Sequence, residues 1–294
     1  LDVSSSQLVL CPLCGAETRF RYTIDRFEPS FDILACPICG LEMQSKMPAD
    51  ESALYTEDYY SGRADYSYRD ERALEQYERI VWQARLRKIK SYVPPPADFL
   101  DVGCAYGGLA LEAGRQGFRA HGLDVSPDAV AGARARGLDA RQGRITDGYP
   151  QASMDVVTMI EVIEHLSDPV RSVQALRDII RPGGLLVIQT ANYAGQQAKT
   201  QGADYHYYLP GHLHYFSRKN LTGLLHRNGF SRVDFFPGVE FGLLPKLRKS
   251  RGSFQTAGDY AKWLRIGWYH LKSKAAFGDF ALTSAMVLYA VRDR

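Results

Sequence analysis

Two short pieces of this chain are near copies of one another: Cys11-Pro-Leu-Cys14-Gly15 and Cys36-Pro-Ile-Cys39-Gly40. A Cys-x-x-Cys pair lets one tight turn present two thiolates to the same tetrahedral ion, and the glycine behind it relieves the backbone where the turn closes. Two such turns, 21 residues apart, supply four sulfurs and leave no open coordination position. Cys11, Cys14, Cys36 and Cys39 are therefore expected to hold a structural zinc ion, in a ribbon with short strands near Arg19–Tyr22 and Phe31–Leu34. Disulfides and a redox pair are the competing readings, and the duplicated spacing weighs against both. A closed shell gives the zinc no catalytic work. Its role would be to fold residues 1–47, which cannot build a core alone.

The length of 294 residues allows one large domain or two modest ones. With 45% apolar and 23% charged residues, the chain is not globally disordered, collagenous or a coiled coil. No apolar run approaches the ~18–20 residues that cross a bilayer. Leu1–Leu10 has neither a basic n-region nor a long apolar stretch, so it does not read as a signal peptide, and a cytoplasmic location is expected. A net charge of +3 is too small to argue for a nucleic-acid partner.

Residues 48–96 form a linker and lead-in. Tyr55, Tyr59, Tyr60, Tyr66 and Tyr68 suggest either a substrate-facing strap or packing between two domains, the second being favoured. Leu74, Tyr77, Ile80, Val81, Ala84 and Ile89 fall near helical spacing over 70–92, and Pro94-Pro95-Pro96 ends that helix.

From residue 97 strands alternate with helices. Strands are expected at Asp98–Gly103, Arg119–Asp124, Leu138–Gln142, Met154–Ile160, Leu185–Thr190 and Ser284–Val291. Helices are expected at Gly107–Gln116, Ser126–Arg136, Pro169–Ile180 and Ser217–Asn228. This alternation implies parallel pairing in a doubly wound α/β sheet. The first strand runs into Asp101-Val-Gly103-Cys104-Ala105-Tyr-Gly107, where glycines allow a sharp turn and close approach of a ligand to the main chain. The next strand ends in Asp124, whose carboxylate can accept both ribose hydroxyls of an adenosine.

Leu100-Asp-Val-Gly-Cys-Ala-Tyr-Gly, His121-Gly-Leu-Asp124-Val-Ser-Pro, Asp155-Val-Val-Thr-Met-Ile-Glu-Val-Ile-Glu-His165-Leu and Arg181-Pro-Gly-Gly-Leu-Leu-Val-Ile resemble the class I S-adenosylmethionine-dependent methyltransferases. The resemblance covers residues 97–240 and the tail, and the four-cysteine front resembles a subgroup that begins with such a ribbon. It implies a Rossmann-like sheet that binds S-adenosylmethionine through Asp101, Gly103, Cys104, Ala105, Gly107, Asp124, Val125, Ile145 and Glu161. Two departures stand out. Ala105 occupies a position where the family often has glycine. Arg144-Ile145 replace the acidic residue expected beside the adenine, so recognition there by backbone amides is expected. The spacing of Gly103 and Gly107 does not match the dinucleotide fingerprint, which disfavours NAD.

The resemblance also places the loop after the fourth strand at the reacting methyl. An Asn/Asp-Pro-Pro-Tyr tetrapeptide would mark amide or amine methylation. This chain has Glu161-Val-Ile-Glu164-His165 instead. At i, i+3 and i+4 these three would share one helical face. Gly211-His212-Leu-His214-Tyr-Phe adds two histidines, of which His214 precedes the aromatic pair. Glu161, Glu164, His165 and His214 suit magnesium or manganese, and the pattern resembles metal-dependent ubiquinone-pathway and small-RNA 2′-O-methyltransferases. A histidine base without metal, or a plain structural brace, compete with that reading. His206, Tyr207 and Tyr208 either line the acceptor site or cover the sheet edge.

Residues 241–282 hold eight basic residues against Asp259 and Asp279. Tyr260, Trp263, Leu264, Gly267, Trp268 and Leu271 fall on one face of an amphipathic helix there. A lid, a packing or dimer face, and a membrane-surface foot compete, the first two being favoured over the third. The expected activity is methyl transfer to a small molecule such as a sugar nucleotide, saccharide or secondary metabolite, on oxygen in preference to carbon. The basic insert would suit an anionic or lipid-linked acceptor. An RNA methyltransferase and a non-catalytic S-adenosylmethionine-binding scaffold are the alternatives. Nucleic acid is disfavoured for lack of a broad basic face. The oligomeric state is not legible.

Overall fold

The computed structural model describes residues 9–47, 59 and 70–294. Tyr55, Tyr60, Tyr66 and Tyr68 of the expected strap lie outside the described residues.

The chain opens with three short strands, β1 (Arg19–Ile24), β2 (Phe31–Ala35) and β3 (Glu42–Gln44). Helix α1 (Glu75–Lys90) leads into β4 (Asp98–Val102), α2 (Gly108–Arg115), β5 (Arg119–Asp124), α3 (Pro127–Ala135), β6 (Asp139–Gln142) and β7 (Met154–Ile160). Then come α4 (Pro169–Ile179), β8 (Ile180–Ala191), α5 (Gln196–Gln201), β9 (His214–Tyr215), α6 (Arg218–Arg227) and β10 (Arg232–Pro237). The chain closes with α7 (Leu243–Ser250), α8 (Lys262–Lys274), a hairpin of β11 (Ala276–Phe277) and β12 (Phe280–Ala281), and β13 (Ala285–Val291).

Helix starts follow the local chemistry. Ser126 caps α3 through a bond from Ala129 N–H (3.3 Å), and Asp168 caps α4 through Arg171 N–H (2.9 Å), each followed by proline at the first helical position.

The central sheet runs β10-β13-β8-β7-β4-β5-β6. The pairs from β8 to β6 are parallel, whereas β13 runs antiparallel to both β8 and β10. Both faces are covered. Leu185 and Val187 pack with Trp82, Leu86 and Ile89 of α1. Leu186 and Ile188 pack with Leu176 and Ile179 of α4 and with Leu221, Leu224 and Leu225 of α6. Burial on both sides explains why these strands read as nearly continuous apolar runs. The sheet is wound in opposite directions from β4 and β7, and a crevice opens at their carboxyl ends, where such folds bind ligands. Three features differ from the sequence expectation. Strand β8 begins at Ile180, and Pro182–Gly184 form a bulged stretch of it, with Gly183 N–H donating to the Arg292 carbonyl (2.9 Å). Strand β10 is an edge strand whose half-buried residues carry no clear alternation. Strands β3 and β9 are too short to show any period.

The four cysteines meet as expected. Each Cys-x-x-Cys turn closes with a glycine in left-handed backbone, Gly15 at φ +71° and Gly40 at φ +74°, whose N–H groups bond the Cys11 and Cys36 carbonyls (2.8 and 3.0 Å). The sulfurs lie within 4.8 Å of one another, with Cys11–Cys39 and Cys14–Cys36 at 3.5 Å, and all are free thiols. A tetrahedral Zn–S bond of ~2.3 Å implies an S···S edge of ~3.8 Å, so the donor set fits zinc.

The ribbon does not stand apart. Its sheet, β1-β2-β3-β9, is completed by a strand from much later in the chain. Cys11, Leu13, Cys36 and Leu41 belong to the same apolar cluster as the central sheet. Fully buried Glu42 pairs with Arg21 (2.6 Å) and accepts from the hydroxyls of Tyr193 and Tyr208. The Gln44 side-chain amide donates to the carbonyls of Leu209, Pro210 and His212 (3.0, 3.0 and 3.1 Å). The Arg26 guanidinium donates to those of Ala203, Tyr205 and Tyr208 (2.8, 2.8 and 2.7 Å). This loop, whose own turns pair only some of its carbonyls, is thus held by ribbon side chains.

Candidate active site

Beyond β4 the chain turns through Gly103 (φ +71°), Ala105 (φ +46°) and Gly107 (φ +80°) before entering α2. A Cβ on Gly103 would lie 2.4 Å from Val162 Cγ2, and one on Gly107 would lie 2.7 Å from Leu138 Cδ2, so neither position admits a side chain. Ala105 does carry a Cβ into left-handed backbone, at a cost of about 1–2 kcal/mol. Its N–H donates to Asp124 Oδ2 (2.8 Å), and Ser126 N–H donates to Oδ1 (3.0 Å). A carboxylate has about four lone-pair positions, so one group can serve two amides and two ligand hydroxyls.

This turn borders a cavity of about 440 Å³. Of the cofactor residues expected from sequence, Gly103, Ala105, Asp124, Val125, Ile145 and Glu161 line it. Asp101, Cys104 and Gly107 do not. Asp101 is buried on β4 and accepts from Thr158 Oγ1 (2.6 Å), and burial pushes its carboxyl up to about 7. Cys104 packs under the turn, its sulfur 2.7 Å from where a Gly122 Cβ would stand, and burial raises its thiol. These residues shape the turn from behind. At the third strand Gly143, Arg144, Ile145 and Thr146 form the wall. Arg144 N–H is already donated to Asp147 Oδ2 (2.7 Å), and Ile145 is anchored in the core.

The far end of the cavity begins where β7 stops. Glu161 sits in left-handed backbone (φ +54°), and Ile163–His165 form a single 3-10 turn. The expected helical face of Glu161, Glu164 and His165 therefore does not form. The reversed backbone at Glu161 turns its carboxylate to Gln189, whose Nε2 donates at 2.6 Å. Gln189 in turn accepts from Arg85, a buried guanidinium paired with Glu240 at 2.6 Å.

Glu164 and His165 are joined instead by His212. Ligand atoms of the three lie within 4.8 Å of one another, and all three residues are buried. The His165 and His212 rings meet edge to face at 4.7 Å. His165 Nδ1 lies 2.7 Å from the Gly211 carbonyl, and His212 Nδ1 lies 2.9 Å from that of Tyr207. A carbonyl only accepts, so each proton is assigned to Nδ1 and each lone pair to Nε2. Neither oxygen of Glu164 has a hydrogen-bond partner among the described residues. Burial pushes its carboxyl well above the ordinary range, and the neighbouring Glu161 charge adds to this. Burial also holds His165 down at about 4 and His212 well below its ordinary value, the latter helped by His165. An orphaned carboxylate beside two neutral imidazoles is a donor set that fits a divalent cation.

His214, expected in this group, is not part of it. It lies in β9 paired with Met43, its Nδ1 is 3.0 Å from the Leu166 carbonyl, and it does not line the cavity. The turn in which His212 N–H bonds the Leu209 carbonyl (3.0 Å) presents His212 instead. Tyr207 lines the cavity, whereas Tyr208 is buried against Glu42. Tyr59 and Glu71 complete the wall; Tyr59 belongs to the strap for which the sequence leaves a substrate-facing role open beside the favoured packing role, whereas Glu71 carries no sequence signal.

The sheet order with its single reversed strand, the glycine turn and the acidic end of β5 define the fold of the class I S-adenosylmethionine-dependent methyltransferases. The chain belongs to the family described as "Methyltransferase domain", whose pattern matches residues 71–234. A ubiquinone biosynthesis O-methyltransferase of Xylella fastidiosa (strain 9a5c) is 34% identical over 132 residues, 41% of this chain and 54% of that protein. One from Xanthomonas oryzae pv. oryzae (strain PXO99A) is 35% identical over 104 residues, 33% of this chain and 44% of that protein. The chain thus spans about half the length of the curated relatives it matches. An S-adenosylmethionine-dependent methyltransferase from Archaeoglobus fulgidus superposes with a TM-score of 0.52 at 16% identity, over 74% of this chain and 97% of the other. Haemonchus contortus phosphoethanolamine N-methyltransferase 2, in complex with S-adenosylmethionine, gives 0.55 at 16% identity over 86% and 62%. At such identities the likeness is one of fold.

Proposed function

We propose that this protein transfers the methyl group of S-adenosylmethionine to a hydroxyl of a small-molecule acceptor. The observation that carries the reading is a single cavity bounded by the Gly103–Asp124 turn and also by His165 and His212. S-adenosylmethionine supplies an already activated methyl group, so the protein's work is to position an acceptor and ease loss of its proton. Asp124 would hold the ribose, the main chain at Gly103 and Ala105 would admit the donor, and Val125 and Ile145 would flank the adenine. Glu164, His165 and His212 would hold a magnesium or manganese ion, which lowers the pKa of a bound hydroxyl. Glu161, steered by Gln189, would border that site. His165 as an unaided base is the weaker reading, because a histidine buried as the neutral form is a better ligand than proton acceptor. The relatives' names as O-methyltransferases agree with oxygen as the target. The cavity wall sets Arg144 against Glu71, Asp124 and Glu161, which favours a neutral acceptor over the anionic one that the basic insert suggested. Zinc in the four-cysteine ribbon would be structural.

The test is a coupled assay for S-adenosylhomocysteine with pools of phenolic and alcoholic acceptors, before and after chelation. Activity lost to chelator and restored by magnesium or manganese supports the reading. Methylation confined to amines or carbon acids overturns the choice of oxygen, and indifference to chelator overturns the cation.

A further inference from the structure

The basic segment 241–282 lies outside the candidate active site, and its geometry differs from the single apolar face its spacing suggests. Trp263 turns inward: its Nε1 donates to Ser250 Oγ (3.0 Å) and its ring meets Phe254 and Tyr260. The buried positions of α8 are His270 and Ser273. Leu264, Trp268 and Leu271 point into solvent, 81%, 61% and 63% exposed. At about 100° per residue these three fall within a stripe about 60° wide. Arg265 and Lys272 flank it on one side and Lys274 on the other, and α8 contains no acidic residue. The Lys272 ammonium lies 5.2 Å from the Trp268 ring centre.

The neighbouring β11–β12 hairpin adds Phe277, 89% exposed. This tip is held in place. Lys219 N–H donates to Asp279 Oδ1 (2.7 Å), Asn192 Nδ2 to the Asp279 carbonyl (3.1 Å), and Arg218 to the Gly278 carbonyl (3.1 Å). A phenyl ring held in water three residues beyond the end of α8 adds little to the stability of this fold.

We propose that α8 and the β11–β12 tip dock on an anionic lipid bilayer, with α8 lying in the interface plane. Leu264, Trp268, Leu271 and Phe277 would enter the acyl boundary, and Arg265, Lys272 and Lys274 would meet lipid phosphates. A helix with an apolar stripe between two cationic borders is the pattern that binds in this way. Charge decides between occupants. A twofold contact with a second copy would place these cations against themselves. RNA would satisfy the cations and stack on Trp268, but it offers nothing to Leu264 and Leu271.

The full chain is sedimented with extruded phosphatidylcholine vesicles, with and without phosphatidylglycerol, at low and high salt. Binding to the phosphatidylglycerol vesicles, weakened by salt, is expected, with little binding to phosphatidylcholine alone. Trp268→Ala with Phe277→Ala should weaken it at least about tenfold, as should Arg265→Glu with Lys272→Glu. Unchanged S-adenosylhomocysteine affinity would show each variant to be folded. Absence of binding at low salt, or binding unaffected in both folded variants, overturns the proposal. So does a concentration-dependent dimer or an RNA complex that uses these residues while vesicles are ignored.

Discussion

The two ends of the cavity are built by different means. The proposed cofactor end comes from three short stretches, 103–105, 124–125 and 143–146, each at the carboxyl end of a parallel strand. Its geometry is a by-product of the sheet. The acceptor end joins a 3-10 turn after β7 to a loop at 203–213 whose carbonyls are held by Arg26 and Gln44 of the ribbon. On the proposed reading, a fold shared with many proteins would supply the donor site, while a module outside the family match at residues 71–234 braces the wall that would meet the acceptor. The two ends should fail separately.

The largest effect is expected from Glu164→Gln. Turnover should fall ~10²–10⁴-fold, with S-adenosylhomocysteine affinity nearly unchanged. Equal loss of both would mean that the two ends are one unit. Disruption of the proposed zinc site by Cys36→Ser should come next, costing on the order of several kcal/mol of ribbon stability. Hydrogen exchange should then quicken over residues 203–213 before it does in β4 and β5. Asp124→Ala probes the other end, and calorimetry should show S-adenosylhomocysteine binding weakened by about 1.5–3 kcal/mol. Gln44→Ala strips a donor from buried carbonyls, so about 1–3 kcal/mol of stability should be lost, and the cofactor affinity should hold. If Gln44→Ala instead weakens cofactor binding, the ribbon reaches further than its contacts imply. Smallest is Ala105→Gly, which relieves left-handed backbone and should stabilise the protein by up to about 1 kcal/mol. A lower melting temperature would show that the turn at φ +46° is not strained.

What the sequence revealed follows the same division. The glycine turn, Asp124, the strand–helix alternation and the duplicated cysteine turns are local patterns whose meaning is set within about ten residues. The acceptor end is not local. His212 and His214 are both plausible ligands on spacing, and only the turn after Leu209 and the pairing of β9 with β3 decide between them. The i, i+3, i+4 spacing implies a helical face that includes Glu161, yet its positive φ breaks that face. The buried Arg85–Glu240 pair and the grip of Gln44 join residues more than 150 positions apart, and no periodic pattern encodes such contacts. In α8 the spacing correctly marked apolar residues but could not show that Leu264, Trp268 and Leu271 lack a cover.

The pairing of β3 with β9 also has a consequence for how the chain is made. Residues 45–213 separate the two strands, so the ribbon sheet closes only through a contact of very long sequence separation. During synthesis, a metal ion held by the four thiolates would gather the cysteine turns as soon as Cys39 emerges. The outer edge of β3 then waits, unpaired, until Tyr215 has been added, and Glu42 waits equally long for Tyr193 and Tyr208. An open strand edge is a template for pairing with other chains. Nascent chains stalled between these points would therefore be the species most exposed to association through the ribbon, and a metal at the cysteines alone would not protect them.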